Sequence, residues 1–236
     1  ENLLLDALHQ VNEYKSSELQ DAKIPNHGFE SIDKELQLLN IENTFLETSS
    51  FKKLTSISTT TNELLFFFKK YAEIYPTLYK KTEEVEFTKF IIESIDKIID
   101  RFGEVKNDAS PLLQRLRNDI NIVQGKLNGS FGKDLARYNS LGYLDEIKES
   151  VVENRRVLAV KAMYRKKVKG SILGNSKTGS IVYVEPQETL EYTTELTNLI
   201  YEEEEEVKRI LKALTEQLRP YKSLLKSYQD YLIQVD

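Results

Sequence analysis

Residues 155–184, RRVLAVKAMYRKKVKGSILGNSKTGSIVYV, are short-stranded in pattern and interrupt a chain whose remaining segments read as helix. This stretch contains no acidic residue. Eight of the 33 Lys and Arg lie in it (Arg155, Arg156, Lys161, Arg165, Lys166, Lys167, Lys169 and Lys177), whereas all 38 Asp and Glu lie outside. It therefore carries +8 and the rest of the chain −13, a separation hidden in the net charge of −5. Within it, Val157–Val160, Val168–Leu173 and Ser180–Val184 are β-branched, of strand length and separated by turn residues, which predicts three antiparallel strands. A concentrated cationic segment on an acidic protein is the footprint of a polyanion-binding tip. The same lysines on a solvated hairpin would keep an edge strand soluble.

The two flanking segments constrain how such a tip is held. Asp108-Ala109-Ser110-Pro111 is a helix start, with Ser110 as N-cap and Pro111 in the first turn. Leu112, Leu116, Ile120, Val123 and Leu127 then recur at steps of three and four, a narrow seam of the coiled-coil kind. From about residue 187 to 218, Leu196, Ile200, Val207, Ile210, Leu214 and Leu218 form a second such seam, interrupted by Glu203. The five consecutive acids 202–206 point in different directions on a helix, so they are expected to solvate its outer face rather than converge on a metal.

Residues 1–105 read as a helical bundle. Leu4, Leu8, Val11 and Leu19 share a helical face, followed by the turn cluster 24–28. Ile32, Leu36 and Leu39 mark a second helix, and Ser49 or Ser50 is the expected cap of a third carrying Phe51, Leu54 and Ile57. Apolar faces continue over 59–81, where Pro76 kinks or ends the pattern, and over 83–102 at Phe87, Ile91, Ile95, Ile98 and Phe102. Their aromatic residues are expected to be core. The fold class is thus mainly α: a helical core or lever (1–105), an outgoing arm (106–130), a basic β clamp (140–186), and a returning arm with its continuation (187–236).

Several functions are disfavoured by what the chain lacks. It has no Cys, so thiol nucleophiles, disulfides and zinc–thiolate sites are excluded. His9 and His27 have no further ligands at metal spacing, and neither G-x-S-x-G nor H-E-x-x-H occurs. The loop 174–179 ends in Lys177-Thr178 but lacks the spacing G-x-x-x-x-G-K-S/T and leads into a strand, so it is expected to be a hairpin turn exposing Lys177. No catalytic residue, metal or cofactor is expected in these residues. No apolar run approaches about 20 residues and the amino terminus lacks a signal-peptide layout, which predicts a cytoplasmic protein without a membrane partner. A start at Glu1, without Met and within a helical pattern, reads as a piece of something longer.

Three ordered blocks carry a family resemblance. Gly103-Glu104-Val105, Asp108-Ala109-Ser110-Pro111 and then Leu113, Arg115, Leu116 and Arg117 resemble the G-E-I-x-D-x-A-S-P-x-L-x-x-I-R segment of the MutS family. Asn154-Arg155-Arg156-Val157, Val160-Lys161-Ala162, Tyr164-Arg165, Lys167-Val168 and Gly170 are similar to R-Y-V-I-P-V-K-A-x-Y-R-x-K-V-x-G of its second-type, Smr-linked branch. Asn175-Ser176, Gly179 and Tyr183-Val184-Glu185-Pro186 parallel Q-S-x-S-G-x-T-x-F-I-E-P. Ala159, Asn175 and Met163 depart from the pattern.

The resemblance implies a lever with two arms and a clamp that grips duplex or branched DNA through the eight cations, within a DNA-repair and anti-recombination ATPase. It also implies that ATP and Mg belong to a separate ATPase domain, that the intact protein dimerises, and that this part is not itself an enzyme. Two other readings remain: a clamp that grips the ribosome or its RNA through the same cations, and a coiled-coil adaptor whose lysines only solubilise.

Overall fold

A computed structural model describes residues 2–17 and 22–235. It separates into two compact units, Glu1–Ala109 with Val207–Asp236, and Ser110–Glu206. The architecture is mainly α with one small antiparallel sheet, as the sequence predicts.

The first unit is helical. Its elements are α1 (Asn2–Ser16), α2 (Asp33–Leu39), α3 (Thr48–Lys70), α4 (Pro76–Thr82), α5 (Phe90–Ile98), the carboxy-terminal part of α7 (Gln187–Leu218) and α8 (Lys222–Val235). Phe51, Leu54, Ile57, Leu64 and Phe68 line the buried face of α3 and meet Ile91 and Ile95 of α5 and Leu225 and Leu232 of α8 in the core. Each such side chain removed from water contributes roughly 1.5–3 kcal/mol. Some expectations change here. Leu8 and Val11 are exposed; Leu19 lies outside the described residues, as does the side chain of Leu4. The two helices expected over 51–57 and 59–81 are one helix to Lys70, followed by α4 beginning at Pro76. The pattern over 83–102 shortens to α5, with Phe87 and Phe102 exposed, because Ile99 leaves the helix to bridge Val105. Ser50 does not cap α3; its hydroxyl donates to the buried Glu35 at 3.0 Å.

The second unit holds α6 (Pro111–Ser140), four strands and the first part of α7. Ser110 caps α6, its Oγ accepting from Leu113 N at 3.0 Å with Pro111 in the first turn. The buried positions of α6, Leu113, Leu116, Val123, Phe131, Asp134 and Tyr138, lie on one helical face, but the seam starts from Leu113, Leu112 is exposed, and the expected seam residues Ile120 and Leu127 are only half-buried. Within this unit α6 and α7 run antiparallel: Ser110 meets Glu206, Arg117 meets Glu203, and Ser130 Oγ donates to the carbonyl of Glu188.

The sheet has four strands, β1 (Leu144–Val152), β2 (Arg155–Lys161), β3 (Gly170–Asn175) and β4 (Ile181–Pro186), in the order β1-β2-β4-β3. The extra strand, β1, carries charges at Asp145, Glu146, Lys148 and Glu149, a composition that does not suggest a strand. Pairing along β2 organises it, from Leu144 opposite Val160 to Val152 opposite Arg155. One face of the sheet, with Leu158, Val160, Val182 and Val184, packs on Phe131 and Tyr138 of α6.

Candidate nucleic-acid interface

Strand alternation decides what each cation can do. Arg156 follows the face of Leu158 and Val160, so it meets α6: its guanidinium lies 4.2 Å over the Phe131 ring, with Nη1 donating to Asn128 Oδ1 at 3.1 Å and Nη2 to Glu149 Oε2 at 2.6 Å. Arg155 points to the opposite face, where Nη1 donates to Glu185 Oε2 at 3.0 Å. Glu185 is only 1% exposed, so this pair offsets the cost of a buried carboxylate. Both arginines line a cleft of about 460 Å³ together with Gln124, Thr193 and Leu196. Lys161 Nζ reaches the carbonyl of Gly142 at 3.3 Å. These three cations are engaged within the fold.

The other five project into solvent. Arg165, Lys166 and Lys167 end a 3-10 turn, Ala162–Lys167, that has no buried residue. Lys169 follows the buried Val168, and Lys177 lies in the turn between β3 and β4. Among the described residues, none of the five meets an acidic partner. The sheet is consequently polarised. Its β1 edge bears Asp145, Glu146 and Glu149, while the loops beside β3 bear the free cations. An acid-free stretch of sequence is thus not an acid-free sheet.

A tyrosine stack holds the basic turn in place. The Tyr164 ring lies 4.6 Å from Tyr143 at an interplanar angle of 23°, and Tyr143 lies 6.3 Å from the buried Tyr138 at 26°. Offset ring pairs of this kind contribute about 0.5–1.5 kcal/mol beyond their burial. In the sequence Tyr164 stands out only as part of the family motif; Tyr138 and Tyr143, shortly before the basic segment that holds Tyr164, are the signal for the stack.

The acidic run 202–206 is only partly a solvated face. Glu202, Glu204 and Glu205 are exposed, but Glu203 Oε1 accepts from Arg117 Nε at 2.7 Å and the buried Glu206 accepts from Ser110 Oγ at 2.6 Å. Asp134, buried on α6, has its carboxyl held above the usual range, first by burial and then by the nearby Glu188. His27 is likewise structural: its Nδ1 donates to the carbonyl of Pro25 and its Nε2 accepts from the Tyr14 hydroxyl. Among the described residues, no three His, Cys, Asp or Glu gather as a metal site, and no helix is long and apolar enough to cross a membrane.

No family model matches the chain. Curated proteins named Endonuclease MutS2 do. The protein from Carboxydothermus hydrogenoformans is 28% identical over 235 residues, covering 92% of this chain and 30% of its own length. That from Aquifex aeolicus is 28% identical over 202 residues, covering 85% and 26%, and that from Gemmatimonas aurantiaca 29% identical over 144 residues, covering 61% and 18%. The chain thus spans less than a third of the length of these relatives.

Proposed function

The chain belongs to the MutS family, in the second-type branch that includes the Endonuclease MutS2 proteins, and from that premise we propose that its second unit grips DNA by phosphate contacts from the basic turns. The observation that carries this reading is the set of five exposed cations, Arg165, Lys166, Lys167, Lys169 and Lys177, without acidic partners on turns fixed to a packed sheet. Such groups neutralise phosphates and release condensed counterions without reading sequence. Arg155, Arg156 and Lys161 support the interface by holding its strands. The acids of β1 limit the gripping surface to the β3 side of the sheet.

This region is the binding part of a larger machine. In this reading the nuclease activity in the relatives' name and any ATP-driven step lie with segments other than these; the sequence has no phosphate loop, and among the described residues no three His, Cys, Asp or Glu gather beside the cations.

The test is a salt titration of duplex binding by the 236-residue chain. Five neutralised phosphates give a log–log slope of about −4.5, with little dependence on sequence. Replacing Arg165, Lys166, Lys167 and Lys169 by Glu should abolish binding at 100 mM salt while leaving the melting temperature near that of the parent. Unchanged affinity and slope would rule the basic turns out. An RNA duplex that outcompetes DNA at equal salt would transfer the same contacts to RNA.

A further inference from the structure

Resting on that reading of the tip, we propose that Met163 and Tyr164 form a base-stacking element, so that the site takes nucleic acid with unpaired, unstacked bases, such as a single-stranded segment, in preference to continuous duplex. Phosphate contacts alone would bind either form. What distinguishes this turn is an apolar and aromatic pair set immediately before Arg165, Lys166 and Lys167. Met163 is 77% exposed, an arrangement with no packing purpose within the unit. Its thioether is polarizable and adapts to a ring edge or face.

Tyr164 terminates a ladder. Tyr138 is anchored in the core, Tyr143 stacks on it, and Tyr164 stacks on Tyr143; among the described residues no further ring lies against Tyr164. The ring is therefore held in place before any ligand arrives, and a planar base can extend the stack at little ordering cost. Lys161, donating to the Gly142 carbonyl, ties the start of the turn to the α6–β1 connection that carries Tyr143. A base stacked on Tyr164 would leave its phosphate within the turn that bears Arg165–Lys167. Cations that track the backbone beside an aromatic platform are how sequence-tolerant single-strand sites work. Bases inside a duplex are already stacked and cannot reach such a platform without unpairing.

The experiment compares a single-stranded oligonucleotide carrying 2-aminopurine with a blunt duplex of equal length, using anisotropy for affinity and 2-aminopurine fluorescence for stacking. The single strand should bind more tightly at equal salt and its fluorescence should be quenched on binding. Met163→Ser should weaken single-strand binding about tenfold and reduce the quench, while duplex affinity stays as in the parent; Tyr164→Leu, which also loosens the turn, should reduce the quench further. Tyr164→Phe should retain both signals. Tyr164 also packs against the sheet core, so the exposed Met163 supplies a variant that does not disturb folding. Unquenched binding, or equal losses on both nucleic acids, would overturn the stacking proposal and leave the phosphate reading standing. Failure to bind either nucleic acid would overturn both.

Discussion

Ser110 Oγ donates to Glu206 Oε1 at 2.6 Å while accepting from Leu113 N at 3.0 Å, so one hydroxyl caps α6 and satisfies a carboxylate on α7 that is 4% exposed. The two helices of the second unit are thereby registered at this end. Ser110→Ala should cost about 1–2 kcal/mol, more than an isolated cap of the same kind, because Glu206 loses a donor as well. Ser110→Asp should keep the cap but repel Glu206, and combining it with Glu206→Gln should recover part of the loss. Additive effects in a chemical-denaturation cycle would refute the coupling.

The eight cations separate into two classes by experiment. Arg155→Ala strips Glu185 of its guanidinium and leaves a buried carboxylate whose other oxygen, Oε1, also lacks a partner. A stability loss of about 1–3 kcal/mol is expected. Lys167→Ala should leave the melting temperature unchanged and lower the salt slope of nucleic-acid binding by about 1. If Arg155→Ala were silent in thermal melts, its assignment as a strut would fail.

Gly170 faces Pro186 across the β3–β4 ladder with φ at +152°, and a Cβ placed on it would sit 2.0 Å from the carbonyl oxygen of Glu185. That neighbour is backbone and cannot rotate away. Gly170→Ala should therefore destabilise the unit by about 3 kcal/mol, read as a lowered unfolding midpoint, whereas Gly129→Ala on α6, where a Cβ meets nothing, should be tolerated or stabilising. Equal behaviour of the two variants would contradict the close approach.

Asp134 is 5% exposed, and burial, with Glu188 beside it, favours its protonated form. A carboxyl whose folded pKa is raised contributes stability that is complete below its unfolded value, near 4, and is lost as pH rises through the folded value. Asp134→Asn imitates the protonated group. Its melting temperature should exceed that of the parent at pH 8 and converge with it at pH 3.5. A variant less stable than the parent at pH 8 would show that the charged form is favoured there.

Much of this fold follows from local pattern. Ser110-Pro111 marks the start of α6 because a cap and a fixed φ act within four residues, and steps of three and four along Leu116, Ile120 and Val123 specify a helix with one buried stripe whatever its partner. The start of α7 after Pro186 is equally local. Charge separation was also plain, since it requires only counting. The strand β1 was hidden because its edge position lets charges occupy it; what makes LDEIKESVV a strand is the ladder it forms with β2.

The cations show the same division. Arg155 and Arg165 are indistinguishable as letters in a basic run, yet one is a strut and the other is free. The difference lies in Glu185, 30 residues along the chain and brought within 3.0 Å only when β2 pairs with β4. Periodicity is a property of neighbouring residues and survives in the one-dimensional chain. Whether a charge is spent depends on distances of a few ångströms between residues far apart in sequence, and those distances exist only after the strands have paired and α6 has packed on α7 and the sheet.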